Sequence, residues 1–233
     1  MTDGGAARPD EVRAAVAAGV DWVQLRDRTL PGRSLLESAR ALRAAAAAGA
    51  AGRPGGCVLL LNRRLDVALA LSCDPRAGVR IGVHLGFDAP SLAEARRVLD
   101  ALGPLRGPVG VATHGPEEVA TAAAAGADYA QLAPIFDPIS KPRERPALGT
   151  FALAEASRGA GPCRLLAQGG IDGGSAEAAL RAGAHGVAVT GAVLGASDPG
   201  AAAAGLRATL DAAARGRARS GLRRGAPPAE DGS

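Results

Sequence analysis

Aromatic side chains are scarce in this sequence. Tryptophan, tyrosine and phenylalanine make up 2% of the 233 residues, whereas hydrophobic residues of all kinds make up 47%. The apolar core must therefore be built from alanine, leucine and valine, and such small side chains favour closely packed layers of helices on strands. A chain of this length fits one large domain, because α/β barrels of this size are single domains.

Long apolar runs, an apolar leader and paired cysteines are also missing. No run approaches the roughly 18 apolar residues that a membrane span needs. The N-terminus is polar and glycine-rich, which predicts that there is no signal peptide. Cys57, Cys73 and Cys163 are scattered and show no metal-binding spacing. We therefore expect buried free thiols in a reducing cytoplasm.

Concentrated positive charge is absent from the body of the chain. The net charge is +4, but residues 215–233 carry five arginines against two acids, which leaves +1 for the rest. A nucleic-acid-binding face is therefore poorly supported. Residues 213–233 are low in complexity and are predicted to form a disordered, arginine-rich tail. A weak, salt-sensitive contact of this tail with polyanions stays open.

What the sequence does contain is a regular alternation of alanine-rich helical segments and short apolar strands. Apolar strands that alternate with helices predict a parallel sheet. Seven strands and eight helices favour one α/β domain over residues 1–212, a TIM (β/α)8 barrel that lacks one strand. A doubly wound open sheet is the alternative, but no GxGxxG motif follows the first strand. The predicted strands are 21–26, 57–62, 82–85, 109–113, 127–132, 164–168 and 186–190, and the predicted helices are 9–19, 34–48, 64–71, 91–102, 116–125, 150–158, 174–182 and 198–214.

The missing strand is expected to be the first one, because a helix already begins at Pro9. Residues 1–3 would be its end, either truncated or with the true start codon lying upstream. Without it, the neighbouring strands would expose unpaired backbone groups.

Two helices are predicted to begin with a capping box, in which a serine hydroxyl and a glutamate satisfy the first free amides. The pairs are Ser34 with Glu37, and Ser91 with Glu94.

Polar and cationic residues follow the predicted strands at their C-terminal ends, where TIM barrels assemble their active sites. After the last two strands, Gly169-Gly170 and Thr190-Gly191 predict a phosphate site made by glycine amides and a short helix; plain turns are the alternative. Arg26, Arg28 and Lys141, the only lysine in the chain, are expected to form a second cationic cluster across the barrel opening. Two separated anion sites indicate two phosphorylated ligands, or a diphosphate and a phosphate. The other residues at these ends are Gln24, Asp27, Asn62, Arg63, Gly86, Asp88, Thr113, His114, Asp137, Ser140 and Gln168.

Individual residues in this set leave alternatives open. Asn62, the only asparagine, either orients a ligand or caps the following helix. Asp88 is either a ligand of Mg²⁺ on a diphosphate or an ordinary loop aspartate. His114 is the histidine placed for acid–base work, whereas His84 is expected to point into the barrel wall and His185 lies at a turn. The sequence has no nucleophile elbow, Walker loop or paired Cys/His metal set.

Taken in order, these segments resemble the thiamine phosphate synthase and TenI-like superfamily. The resemblance covers about residues 10–207 and rests on seven stretches in register. It implies a TIM barrel and an enzyme of thiamine biosynthesis. The stretches are GVDWVQLRDR, LLLNRRLDVALA, VHLGFDAP, VGVATHGPEE, GADYAQLAPIFDPISK, LLAQGGI and AGAHGVAVTGAV.

The synthase branch, which we favour, couples hydroxymethylpyrimidine diphosphate to a thiazole phosphate and releases diphosphate, with Mg²⁺ on the diphosphate. The resemblance implies these two small molecules as partners, with no specific nucleic acid and no membrane; the oligomeric state, a homo-oligomer included, stays open. It also implies catalytic roles for Arg26, His114 and Lys141. The implied binding residues are Gln24, Arg26, Arg28, Ser140 and Lys141 for the diphosphate, Asn62 for the pyrimidine, Asp88 for the metal, and Gly169, Gly170, Thr190 and Gly191 for the thiazole phosphate.

Departures from the family pattern keep two other functions open. Arg63 stands where the family has an aspartate that helps to bind Mg²⁺, and this change is expected to weaken the metal site. Together with Ala112, which replaces a serine, it favours the TenI-like branch, a thiazole tautomerase that needs no metal and would use His114 as its acid–base group. Arg28 replaces the usual lysine. A non-catalytic homologue that binds a thiazole phosphate is the third alternative.

Overall fold

Seven parallel strands, hydrogen-bonded in chain order, form one curled sheet with helices on its outer face. The computed structural model describes residues 8–73, 78–103, 105–137 and 145–224. The seven-strand α/β barrel prediction is confirmed within them. The strands are β1 Trp22–Leu25, β2 Cys57–Asn62, β3 Val79–Leu85, β4 Val109–Thr113, β5 Tyr129–Leu132, β6 Arg164–Gln168 and β7 Gly186–Ala188. The helices are α1 Pro9–Ala17, α2 Gly32–Gly49, α3 Leu65–Ser72, α4 Leu92–Leu102, α5 Pro116–Ala124, α6 Gly149–Gly159, α7 Ala176–Arg181, α8 Gly191–Leu194 and α9 Pro199–Arg224.

The helices cover the outer face of the sheet with small apolar side chains. In α2, Leu35, Ala39, Leu42 and Ala46 recur every three or four residues, and each is at most 2% exposed. This spacing places them on one face of the helix, against the strands. The outward-pointing strand residues, such as Leu59, are equally buried. The core therefore consists of alanine and leucine, as the composition predicts.

The inner face of the sheet carries the single tryptophan and the single tyrosine of the chain, Trp22 and Tyr129. Tyr129 of β5 is fully buried there, with its ring centroid 5.1 Å from that of Trp22. Val58 and Leu60 of β2 pack against it. Gly110 of β4 lies opposite Tyr129, and a side chain at that position would collide with the tyrosine ring. A glycine is required there because Tyr129 lies flat on β4.

A cleft of about 500 Å³ opens between the two edge strands, β1 and β7. Helices α1 and α9 pack against each other beside it, around Ala15 and Ala203. Arg8 Nη1 donates to the carbonyl of Leu194 at 2.9 Å, so α1 begins next to α8 at the C-terminal edge of the sheet. Residues 1–3, predicted to be the end of the missing strand, lie outside the described residues. The described residues contain the seven predicted strands and no eighth.

Some predicted boundaries differ from the observed ones. Ser91 and Glu94 form the predicted capping box, with Ser91 N donating to Glu94 Oε2 at 2.8 Å. The capping box at Ser34 is wrong, because α2 already begins at Gly32 after Pro31 and has no side-chain cap. Helix α8 was not predicted as a separate element. Helix α9 continues to Arg224, so the predicted start of the tail lies inside it.

None of the helices within the described residues combines the length and the apolar character needed to cross a membrane.

Candidate active site

Amide side chains line the inner face of the sheet near its C-terminal edge. Gln24 Nε2 donates to Asn62 Oδ1 at 3.1 Å, and both residues are buried. Gln131 donates in the same way to Gln168 across β5 and β6. Asn62 faces the interior and does not cap α3, whose N-cap is Arg64 and has no side-chain cap. The edge of the sheet therefore carries oriented polar groups above an apolar floor.

His84 belongs to this inner layer and is neutral at physiological pH. Its Nδ1 lies 3.0 Å from the hydroxyl of Tyr129, and its side chain is buried, as the predicted barrel-wall position requires. Burial, and to a smaller extent the positive charge of Arg26, lowers the pKa of His84 to about 4. An imidazole in this state holds its neighbours in place and does not act as an acid at pH 7.

Three arginines and one aspartate gather at the C-terminal ends of β1, β2 and β3. Arg63, after β2, forms an ion pair with Asp88, after β3. Desolvation is the largest single effect and raises the pKa of Asp88. Its own backbone amide, the Arg63 hydrogen bond and the charges of Arg63 and Arg28 together outweigh it, so the pKa lies below its ordinary value. Arg26 acts electrostatically on His84. The group carries more positive than negative charge.

Asp27 lies in the same loop but serves the fold. Its Oδ1 accepts hydrogen bonds from the backbone amides of Thr29 at 2.7 Å and Leu30 at 2.9 Å. It also accepts one from the Thr29 hydroxyl. This arrangement fixes the loop that presents Arg26 and Arg28.

His114 lies at the same edge, after β4. Its ring packs against Phe87 with 4.3 Å between centroids, and its backbone amide donates to Glu118 Oε2 at 2.8 Å. Its Nδ1 is buried and has no hydrogen-bond partner among the described residues. Buried ring nitrogens are normally paired, so this atom is available to a substrate that supplies the missing partner.

The two glycines after β6 are fixed by packing. Gly169 has φ +94° and Gly170 has φ +60°, and a Cβ on Gly169 would approach Pro134 Cα to 2.8 Å. Phe136 N donates to the Gly169 carbonyl at 3.0 Å. These contacts hold the loop after β6 against the loop after β5. The glycines thus have a structural reason for their conformation besides the predicted phosphate binding.

Thr190 and Gly191 begin the short helix α8 directly after β7. Thr190 is its N-cap residue and accepts a hydrogen bond from Leu194 N at 2.9 Å. Because β6 and β7 are paired, the loops with Gly169 and Thr190 leave the sheet side by side. The predicted pairing of these two loops agrees with the sheet order.

Ser140 and Lys141 lie outside the described residues. The predicted cluster with Arg26 and Arg28 is therefore described for its two arginines alone.

The described residues do not fit the Mg²⁺ that the resemblance implies. Mg²⁺ binds through carboxylates in near-octahedral geometry. The one predicted metal ligand, the Asp88 carboxylate, already contacts the guanidinium of Arg63. The site at Asp88 has a guanidinium where a cation would bind.

Sequence reasoning placed His84 in the barrel wall but missed Gln131 and Tyr129, which lie in the same inner layer. The signal was available in the alternation of strand residues, because Gln24, Asn62 and Gln131 all follow the inward-pointing parity of Trp22. The contact of Phe87 with His114 joins two loops and has no signal in the sequence.

Parallel strands in chain order, outer helices and a cationic C-terminal edge define the class of this protein: it is an enzyme with a TIM-like barrel. Within that class, the chain belongs to the thiamine monophosphate synthase family, whose model matches residues 2–193.

The matches to similar proteins extend over most of this chain and most of each related chain. The thiamine-phosphate synthase of Methanoculleus marisnigri is 40% identical over 212 residues, which are 90% of each chain. That of Anaeromyxobacter dehalogenans is 41% identical over 217 residues, 91% of this chain and 88% of its own. Among solved structures, thiamine phosphate pyrophosphorylase from Pyrococcus furiosus matches with a TM-score of 0.72 and 26% identity, covering 88% of this chain and 90% of its own.

Proposed function

We propose that this chain couples hydroxymethylpyrimidine diphosphate to a thiazole phosphate, with release of diphosphate. The observation that carries the proposal is the group of Arg26, Arg28 and Arg63 at the C-terminal edge of the barrel. Its support is the 40% identity to a thiamine-phosphate synthase over 90% of the chain. The partners are two phosphorylated small molecules.

The chemistry requires that a carbon–oxygen bond to diphosphate breaks while the thiazole nitrogen bonds to the same carbon. The electron pair of the broken bond leaves with the diphosphate, whose negative charge grows in the transition state. Arg26 and Arg28, fixed by the Asp27 turn, stabilise that charge without reorganising. Gln24 and Asn62 orient the pyrimidine through hydrogen bonds.

The remaining predicted roles belong to the same proposal. Lys141 and Ser140 bind the diphosphate, and Lys141 assists its departure together with Arg26. The backbone amides of Gly169, Gly170 and Gly191, with Thr190, bind the thiazole phosphate. His114, the third predicted catalytic residue, has an acid–base role in the second candidate reaction described below.

An assay with both substrates tests the proposal. We expect the purified chain to form thiamine phosphate, and Arg26→Gln to lower kcat/KM by about 10- to 100-fold because a charged contact to the diphosphate is lost. The matched control is Arg181→Gln, which removes an exposed arginine paired with Glu177 on α7. No product from the unaltered chain would overturn the proposal.

A thiazole tautomerase is the second candidate, favoured by the buried, unpartnered Nδ1 of His114. In that reaction His114 would move a proton on the thiazole carboxylate phosphate, with no diphosphate involved. Aromatisation of that substrate by the unaltered chain, lost in His114→Ala, would support it. Binding of thiazole phosphate with neither reaction would leave a non-catalytic homologue.

We also propose a cytoplasmic location, which cell fractionation would check. Cys57 and Cys163 are buried free thiols, as expected in a reducing compartment. Cys73 is exposed, so the expectation of burial holds for two of the three cysteines.

A further inference from the structure

The backbone directs Arg63 in a way that is unusual for a residue with a side chain. Arg63 is the one residue other than glycine with positive φ, +66°, within the described ranges. Its amide donates to the carbonyl of His84 at 2.8 Å, which continues the hydrogen bonding between β2 and β3. A left-handed conformation is unfavourable for residues with a Cβ, so it persists where the surrounding structure imposes it.

This conformation brings the guanidinium of Arg63 to the carboxylate of Asp88. The Arg63 side chain is 24% exposed, and its Nη1 donates to Asp88 Oδ2. Its Nε is buried and has no acceptor among the described residues. A buried donor without an acceptor is costly, and an anionic ligand oxygen would satisfy it.

The charges around this pair favour an anion. Arg28 acts electrostatically on Asp88, and Arg26 lies close enough to influence His84, the residue that accepts from Arg63 N. Arg63 and Arg28 thus act on one carboxylate, and Arg26 adds a third positive charge beside the neighbouring His84. Guanidinium groups bind phosphate oxygens through paired, directed N–H donors.

We propose that Arg63 takes the place of a divalent cation at this site. Asp88 orients the guanidinium instead of holding a metal, and a diphosphate group binds to Arg26, Arg28 and Arg63 without Mg²⁺. The identity of the physiological ligand rests on the proposed function, whereas metal-free binding of diphosphate can be measured independently of any reaction.

Calorimetry with inorganic diphosphate is the direct test. In the presence of EDTA, we expect the unaltered chain to bind diphosphate, and added Mg²⁺ to leave the affinity of the site nearly unchanged. Arg63→Gln should weaken this binding about tenfold or more, because it removes a charged donor. Arg64→Gln is the matched control, since the neighbouring arginine is paired with Asp66 on α3.

A second arm measures the metal alone. We expect no heat of Mg²⁺ binding for the unaltered chain, and measurable Mg²⁺ binding for Arg63→Asp, which sets a second carboxylate beside Asp88. If Arg63→Gln fails to fold, the metal dependence of the unaltered chain still decides the question. Diphosphate binding that requires Mg²⁺, or that is unaffected by Arg63→Gln in a folded variant, would overturn the inference.

The two proposals fail in different ways. If diphosphate binds without metal and through Arg63 but no thiamine phosphate forms, the inference on Arg63 is supported and the proposed reaction is contradicted. If thiamine phosphate forms but its formation stops in EDTA, the proposed reaction is supported and the inference on Arg63 is contradicted.

Discussion

Two adjacent arginines show how strongly the side-chain contacts at this edge depend on the backbone conformation of single residues. Arg63 contacts Asp88 in the next loop, whereas Arg64 contacts Asp66 two residues further along the chain. The side chains are chemically identical, and the difference comes from the positive φ of Arg63. That torsion directs one arginine to Asp88 and leaves the other as the N-cap residue of α3.

His84 should make the stability of the fold depend on pH. Its pKa of about 4 in the folded chain lies below its ordinary value of 6.5, so between these pH values the unfolded chain binds a proton that the folded chain does not. The free energy of unfolding should therefore fall as the pH drops through this window, with up to about 3 kcal/mol due to His84. Urea titrations at several pH values measure it.

The variant His84→Gln should flatten this dependence, because glutamine does not titrate. His185→Gln is the comparison: desolvation and the charges of Arg217 and Arg164 also lower the pKa of His185, but this residue is exposed, so we expect a smaller loss of pH dependence. If the two variants lose the same pH dependence, the burial of His84 is not its cause.

The sequence was sufficient to locate Arg26, Asp88 and His114 at the C-terminal edge, because residues after parallel strands meet there. It was not sufficient to find the Arg63–Asp88 ion pair. That pair requires a residue with a left-handed backbone conformation, and the local sequence LNRR contains no glycine that would indicate one. The sequence also could not show whether Asn62 caps the following helix or faces the barrel interior, because this depends on the register of β1 on β2.

Strands were easier to predict than helix ends. β2, β4 and β6 have the predicted bounds, because each is an apolar run between turn residues. Helix ends depend on local competition: Pro31 starts α2 before Ser34 can cap it, and the alanines and arginines of α9 carry the helix past residue 214. Helix α8, with four residues, is too short to leave a periodic pattern.

The two serines predicted as caps should differ in their effect on stability. Ser91→Ala removes an observed capping box at the start of α4 and should cost about 1 kcal/mol of the free energy of unfolding. Ser34→Ala should change it by less than about 0.5 kcal/mol, because Ser34 lies inside the first turn of α2. Chemical denaturation of both variants checks this, and equal costs would contradict the observed start of α2.

The sheet as a whole is held closed by helices on one side. Strands β2–β6 each have two neighbours in the sheet, whereas β1 and β7 each have one. Between them lies the cleft of about 500 Å³, with α1 and α9 packed beside it. Apolar side chains line much of this cleft, among them Trp22, Leu60 and Val187.

An added strand should therefore stabilise the molecule. We expect an apolar β-forming segment in place of residues 1–7 to lie between β1 and β7, since a right-handed crossover through α1 leads from that position into β1. The melting temperature should rise by about 5 °C or more, because the segment would bury apolar surface of the cleft. Calorimetry measures it, with a polar glycine–serine segment of equal length as the control; an equal rise for both would show that the cleft is not occupied.

The strict agreement between strand order and chain order also affects how the sheet can assemble. Each strand pairs with the one made immediately before it during synthesis, so the N-terminal part of the sheet can form while later strands are still being translated. The contacts of α9 with α1 and with Asp21, through Arg207, join the two ends of the chain only after the last strand has left the ribosome. The sheet can thus form strand by strand, and the contacts of α9 with α1 and Asp21 form last.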